Sequence, residues 1–80
     1  MRKITVKLIG FGQAQNRILS IEIDNITVSD LITEVSKIVK FDDVSIDEFI
    51  AICNNEQLYL DDKIPEECQE IELFPFASGG

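Results

Sequence analysis

Between residues 3 and 9 apolar and polar side chains take turns: Ile4, Val6 and Leu8 alternate with Thr5 and Lys7. Successive side chains on an extended backbone point to opposite sides, so this two-residue period predicts a strand with one face buried. Gly10, Gly12, Gln13 and Asn16 then supply turn chemistry. Alternation resumes with Leu19, Ile21 and Ile23 against Ser20, Glu22 and Asp24, and the two segments read as a β-hairpin. From Thr27 the period changes. Val28, Leu31, Ile32, Val35, Ile38 and Val39 fall at the three-and-four spacing of one helical face, with Asp30, Thr33, Glu34, Ser36, Lys37 and Lys40 on the other. Thr27 and Asp30, three places apart, suit the free amides of a first helical turn, and Lys37 and Lys40 suit the negative end of the helix dipole.

The apolar run Phe49 to Cys53 predicts a third strand, closed by Asn54-Asn55, two residues that tolerate the positive φ of a tight hairpin turn. A short fourth segment, Gln57 to Leu60, follows. Asp61, Asp62 and Pro65 interrupt regularity, with Ile64 expected to dip into the core. Ile71 and Leu73 then alternate with Glu70 and Glu72 in a last strand running to about Phe74 or Pro75. The main elements run ββαββ, and the first and last strands hold the most large apolar residues, which places them centrally, side by side. The prediction is an α+β, ubiquitin-like β-grasp domain: a mixed sheet with one main helix across one face. The helix leaves the other face open, and Phe74, with Phe76 if the strand continues, falls on that open side. Two aromatics there suit a docking partner, the alternative being that Phe76 folds over the sheet edge as core.

At 80 residues the chain is one domain, and a domain of this size hides only roughly 60% of the surface its unfolded chain exposes. A cleft walled on all sides needs more chain, so a carrier or substrate protein is expected rather than an enzyme. No apolar run approaches the ~20 residues of a membrane span. Met1-Arg2-Lys3 leads into strand pattern rather than into a secretory signal, so a cytoplasmic protein free of membranes is expected. Net charge is −8, and residues 41–80 carry eleven acids against Lys63 alone. Such a surface repels phosphate backbones, which disfavours nucleic acid; it either steers a basic protein partner or keeps a small protein soluble. Cys53 and Cys68, with no histidine in the chain, cannot complete a structural zinc or four-cysteine cluster site, and no metal is expected. Cys53 reads as core. Cys68 sits in a polar stretch where an exposed thiol is one reading, unactivated beside Glu66, Glu67 and Glu70.

After Phe76 come Ala77, Ser78, Gly79 and Gly80. Residues 1–76 are read as the β-grasp domain and 77–80 as a flexible C-terminal diglycine tail, slim enough for a narrow tunnel and leaving the end carboxylate unshielded. A carboxylate is inert toward nucleophiles at neutral pH because it has no leaving group. Joining Gly80 to AMP from ATP makes its carbonyl electrophilic; a persulfide sulfur then gives a thiocarboxylate, or a thiol and then an amine give a protein conjugate. The chain has no phosphate-binding Gly-rich segment of its own, so no cofactor is expected on it, and ATP and Mg belong to an activating enzyme.

On these residues the chain resembles the MoaD/ThiS family of β-grasp sulfur carriers, nearer to the molybdopterin synthase small subunit than to the thiamine-pathway carrier. The likeness covers nearly the whole length. It rests on Ile4-Thr5-Val6-Lys7-Leu8, on Thr27-Val28-Ser29-Asp30-Leu31, on Asn54 and Ile64, and most specifically on the ending Phe74-Pro75-Phe76-Ala77-Ser78-Gly79-Gly80. The resemblance implies that a ubiquitin-activating-like enzyme adenylates Gly80, that a persulfide donor supplies sulfur, and that the thiocarboxylate enters the catalytic large subunit of a synthase and delivers sulfur to a pterin precursor. Gly79 and Gly80 would be the reacting end, and Phe74, Pro75, Phe76, Ala77 and Ser78 the partner-binding stretch. The sequence departs from the family pattern in having Asn54-Asn55 where Asn-Gly is common and Glu67-Cys68 where Gly-Asp is common. A ubiquitin-like tag joined to lysines through Gly80, and an interaction module with an accidental Gly-Gly end, remain as alternatives.

Overall fold

The computed structural model describes residues 2–10, 17–39 and 48–75. Strands β1 (Arg2–Leu8) and β2 (Arg17–Ile23) are followed by helix α1 (Val28–Ile38) and by β3 (Phe49–Cys53), β4 (Glu56–Leu58) and β5 (Glu70–Pro75). The sheet order is β2-β1-β5-β3-β4. β1 and β5 lie parallel at its centre, and the other neighbours pair antiparallel. Counting short β4, the order is ββαβββ in a mixed sheet, the β-grasp arrangement expected from the alternation.

β1, β2, β3 and β5 each bury one side against the helix. Ile4, Val6 and Leu8 of β1, Ile71 and Leu73 of β5, and Ala51 and Cys53 of β3 face the helix side, where they meet Val28, Leu31, Ile32 and Val35 of α1. Ile64 joins this core as its lone apolar position predicts.

The start of α1 is held by reciprocal side-chain bonds. The Asp30 amide donates to Thr27 Oγ1 and the Thr27 amide to Asp30 Oδ2, both at 3.2 Å. The next two amides, Val28 and Ser29, donate to the carbonyls of Asp62 and Leu60, so the helix start is satisfied by the loop that precedes β5. At the other end Ile38, expected on the buried face, is 53% exposed. The helix stops there, and Val39 turns to extended backbone, which brings Val39 into the core and leaves Ile38 on the flank. Lys37 pairs with Glu34 on the exposed side, and Lys40 lies outside the described residues.

Asn54 and Asn55 both take positive φ, 54° and 65°, as the β3–β4 hairpin requires. β4 begins one residue earlier than expected and ends at Leu58. A tight turn stops it: the Tyr59 amide donates to Asp62 Oδ2 at 2.8 Å and the Asp62 amide to the Tyr59 carbonyl at 3.0 Å. The cysteines differ most from the sequence reading. Cys68 is fully buried, and it forms a disulfide with Cys53 that ties the end of β3 to the loop before β5. No helix among the described residues is long and apolar enough to cross a membrane.

Candidate functional site

β5 is the strand that leads into the Phe76–Gly80 segment, and its placement sets the site. β1 pairs with its residues Glu70 to Leu73 and β3 with Glu72 to Pro75. The Thr5 amide donates to the Gln69 carbonyl and the Ile9 amide to the Leu73 carbonyl, each at 3.0 Å, so β1 follows β5 nearly to its end. On the far side Phe49 to Ile52 of β3 pair with Pro75 back to Glu72. Where β5 ends, Gly10 lies beside Pro75: a Cβ added to Gly10 would stand 3.4 Å from the proline Cδ. Gly10 has φ +82°, a conformation that side chains resist, so glycine both turns the chain and admits Pro75.

The segment before β5 is anchored by a group the sequence reading did not single out. Arg2 spreads its guanidinium over four backbone carbonyls: Nη1 donates to Glu66 at 2.8 Å and Cys68 at 2.7 Å, and Nη2 to Pro65 at 2.6 Å and Ile64 at 3.3 Å. Together with the disulfide, this clamp fixes the loop from which β5 starts.

Phe74 faces the open side of the sheet, as its parity with Glu70 and Glu72 predicts, and is half-buried. It stands opposite Ile50, with Ile52 on the next diagonal, and both isoleucines are half-buried on the same face. The three make an apolar patch beside the exit of β5. Ile50 and Ile52 were hidden in the sequence inside the run Phe49 to Cys53; an unbroken apolar strand with a hydrophobic residue at every position is itself the signal that both faces meet something. Pro75 is also half-buried. The expected partner-binding residues Phe76, Ala77 and Ser78 and the expected reacting end, Gly79 and Gly80, lie outside the described residues. The division at residue 76 lies there too.

On the β1 side of this patch the open face turns ionic. Lys7 Nζ sits 2.8 Å from Glu70 Oε2, and Glu72 pairs with Lys7 in the β1–β5 register. The hydrogen bond that Lys7 donates to Glu70, then the Glu70 charge, with a smaller contribution from Glu72, raise the lysine above its ordinary value against some desolvation. A shallow depression of about 250 Å³ bounded by Lys7, Ile9, Arg17, Ile18 and Glu72 opens at the same end of the sheet. The site therefore offers an apolar contact next to a fixed ion pair, and the described residues hold no group of three His, Cys, Asp or Glu suited to a metal.

No sequence-family profile matches the chain, and no curated protein matches it significantly in sequence. Its fold is similar to that of SAMP1 from Haloferax volcanii in its crystal structure, with a TM-score of 0.67 and 22% identity over 99% of this chain and 100% of that one. The likeness extends over both whole chains, and the fold is the ubiquitin-like β-grasp.

Proposed function

We propose that this chain is a ubiquitin-like sulfur carrier or modifier, a substrate protein rather than an enzyme, that works through the carboxylate of Gly80. The observation that carries the reading is the placement of β5: a central strand, clamped at its start, paired with β1 as far as Leu73 and with β3 as far as Pro75, that leads in sequence into Phe76-Ala77-Ser78-Gly79-Gly80 beside an apolar patch of Phe74, Ile50 and Ile52. On this reading the working form is one that ends at Gly80. An adenylating enzyme of the ubiquitin-activating kind supplies ATP and Mg, the Gly80 carboxylate attacks the α-phosphorus, and pyrophosphate leaves. The terminal sulfur of a protein persulfide attacks the activated carbonyl and expels AMP; a thiol then cleaves the new S–S bond and leaves the thiocarboxylate. The patch docks the body so that the thread from Phe76 to Gly80 enters the partner's site.

Within this reading the finer proposal follows the MoaD/ThiS-like ending: the thiocarboxylate enters the large subunit of a molybdopterin synthase in the cytoplasm, with a thiamine-type or other sulfur pathway as the alternative acceptor. Intact-protein mass spectrometry tests the chemistry. After incubation with the cognate activating enzyme, ATP, Mg and a persulfide donor, the mass rises by the exchange of one oxygen for one sulfur, and a chain lacking Gly80 shows no change. Higher-mass protein conjugates without a thiocarboxylate would favour the modifier. A native chain extending unprocessed beyond Gly80 would overturn both.

A further inference from the structure

Cys53 and Cys68 are held in place by more than the bond between them. Cys53 closes β3, and its backbone is fixed by the β3–β4 ladder opposite Glu56. Cys68 is fixed through its own backbone: its amide donates to the Pro65 carbonyl at 3.0 Å, and its carbonyl accepts from Arg2 Nη1 at 2.7 Å. Neither placement uses sulfur. Both side chains are also enclosed, Cys53 4% and Cys68 0% exposed, in a core of apolar residues where a free thiol packs as a small hydrophobe. Cutting the bond therefore leaves both cysteines where they are.

The surroundings of the sulfurs provide for both states. The Gln69 carbonyl accepts from the Thr5 amide of β1, so the next carbonyl, that of Glu70, turns to the β3 side. The β3–β5 ladder stops at Ile52 opposite Glu72 and does not reach it. What the Glu70 carbonyl meets instead is Cys53 Sγ at 3.1 Å and Cys68 Sγ at 3.6 Å. A disulfide sulfur has no proton to give, whereas either thiol donates S–H to this oxygen. The dithiol thus gains a hydrogen bond that the disulfide lacks, and the disulfide gains a closed loop, spanning a sequence separation of 15, that the dithiol lacks. Each state has its own stabilising contact.

We propose that Cys53 and Cys68 are a reversible redox couple that sets how firmly the start of β5 is held. Oxidised, the loop from Ile64 to Cys68 is tied to β3 through sulfur and to β1 through Arg2; reduced, its Cys68 end is held by backbone bonds, chiefly the Arg2 clamp. The reductant is a dithiol. Cys53 adjoins the exposed Asn54-Asn55 turn, so the thiolate of the reagent attacks Cys53 Sγ and expels the Cys68 thiolate. The second thiol of the reagent then releases Cys53 and closes the reagent's own disulfide. Two electrons enter the protein, and the two protons that the dithiol gives up end on Cys53 and Cys68. The reverse steps, driven by the reagent's disulfide, restore the bond. The couple is independent of what happens at Gly80.

Full-length protein equilibrated in mixtures of reduced and oxidised dithiothreitol, trapped with iodoacetamide and weighed intact, tests it. Samples started reduced and samples started oxidised are expected to converge on one ratio of doubly labelled to unlabelled chain. The reduced chain is expected to keep its far-UV circular dichroism and a cooperative melt. In amide hydrogen exchange Cys68 is expected to be about as protected as Val35 of α1 while the bond is intact, and at least about tenfold less protected than Val35 once it is reduced. Arg2→Ala, which frees the Cys68 carbonyl, lowers the ratio of oxidised to reduced chain in a fixed buffer by at least about threefold, because the two thiols are less well held in register. The wild-type measurements stand by themselves should that variant not fold. A chain that unfolds on reduction, a bond that no dithiothreitol mixture opens without denaturant, a Cys68 amide protected like Val35 in both states, or a ratio indifferent to Arg2 would overturn the proposal.

Discussion

Replacing Arg2 by alanine removes the guanidinium that spans four carbonyls between Ile64 and Cys68. Hydrogen bonds to a charged group contribute about 1.5–3 kcal/mol when taken singly. The four here do not add, because one side chain is ordered once for all of them. The contact to Ile64 is long at 3.3 Å, and the bond to Glu66 is exposed, so that carbonyl returns to water. The three shorter bonds, two of them part-buried, leave an expected net loss of about 2–3 kcal/mol. Against a total stability of about 4–12 kcal/mol for a chain of this length, the loss is large. It corresponds to a fall in melting temperature of about 8–24 °C. Urea unfolding followed by circular dichroism gives the free energy, and an unchanged slope shows that the unfolding event is the same one. Arg2→Lys is expected to recover less than half, since an ammonium is a compact donor that cannot bridge four carbonyls spread over five residues. A loss below about 0.5 kcal/mol, or full recovery with lysine, would refute the clamp as a source of stability.

Replacing Cys53 and Cys68 together by alanine, which leaves no buried free thiol, is expected to cost about 3 kcal/mol from a closed loop of this length, and calorimetry with and without reductant separates the lost cross-link from lost packing. Gly10→Ala is expected to cost about 1–2 kcal/mol through the positive φ, read from chemical denaturation; a neutral effect would show that the turn beside Pro75 relaxes freely. Lys7 titrates above its ordinary 10.5, so its contribution to stability is full below the unfolded value and is lost as pH rises through the folded one. Glu70→Gln is expected to return the Lys7 titration, followed by NMR, toward 10.5 and to flatten that alkaline loss, whereas no change would assign the shift to Glu72.

Much of this architecture is legible in residue periodicity. The alternation in β1, β2 and β5 reports one covered face, the three-and-four spacing from Val28 reports α1, and Thr27 with Asp30 marks its start. The paired asparagines carry their turn in their chemistry. The placement of Phe74 on the open face follows from parity alone. Long-range partners are another matter. Arg2 finds backbone carbonyls more than sixty residues away, and a carbonyl has no sequence identity to recognise. The Cys53–Cys68 pair depends on the β3–β4 hairpin and the following loop folding back, which spacing does not encode, and the acidic neighbours of Cys68 suggest a surface position it does not occupy. Ile38 satisfies the helical spacing but sits where the helix stops, so periodicity overstates its burial.

The central position of β5 has a mechanical consequence. A pull applied at Pro75 along the strand axis loads the parallel ladder to β1 and the antiparallel ladder to β3 together, and the strand can leave only by sliding, with many bonds failing nearly at once. A strand at the rim would instead peel away bond by bond. A machine that draws the following residues into a narrow channel therefore meets a body that resists traction and seats at the channel mouth as a rigid stop, so that reach into the channel is set by the number of residues beyond Pro75 rather than by yielding of the fold.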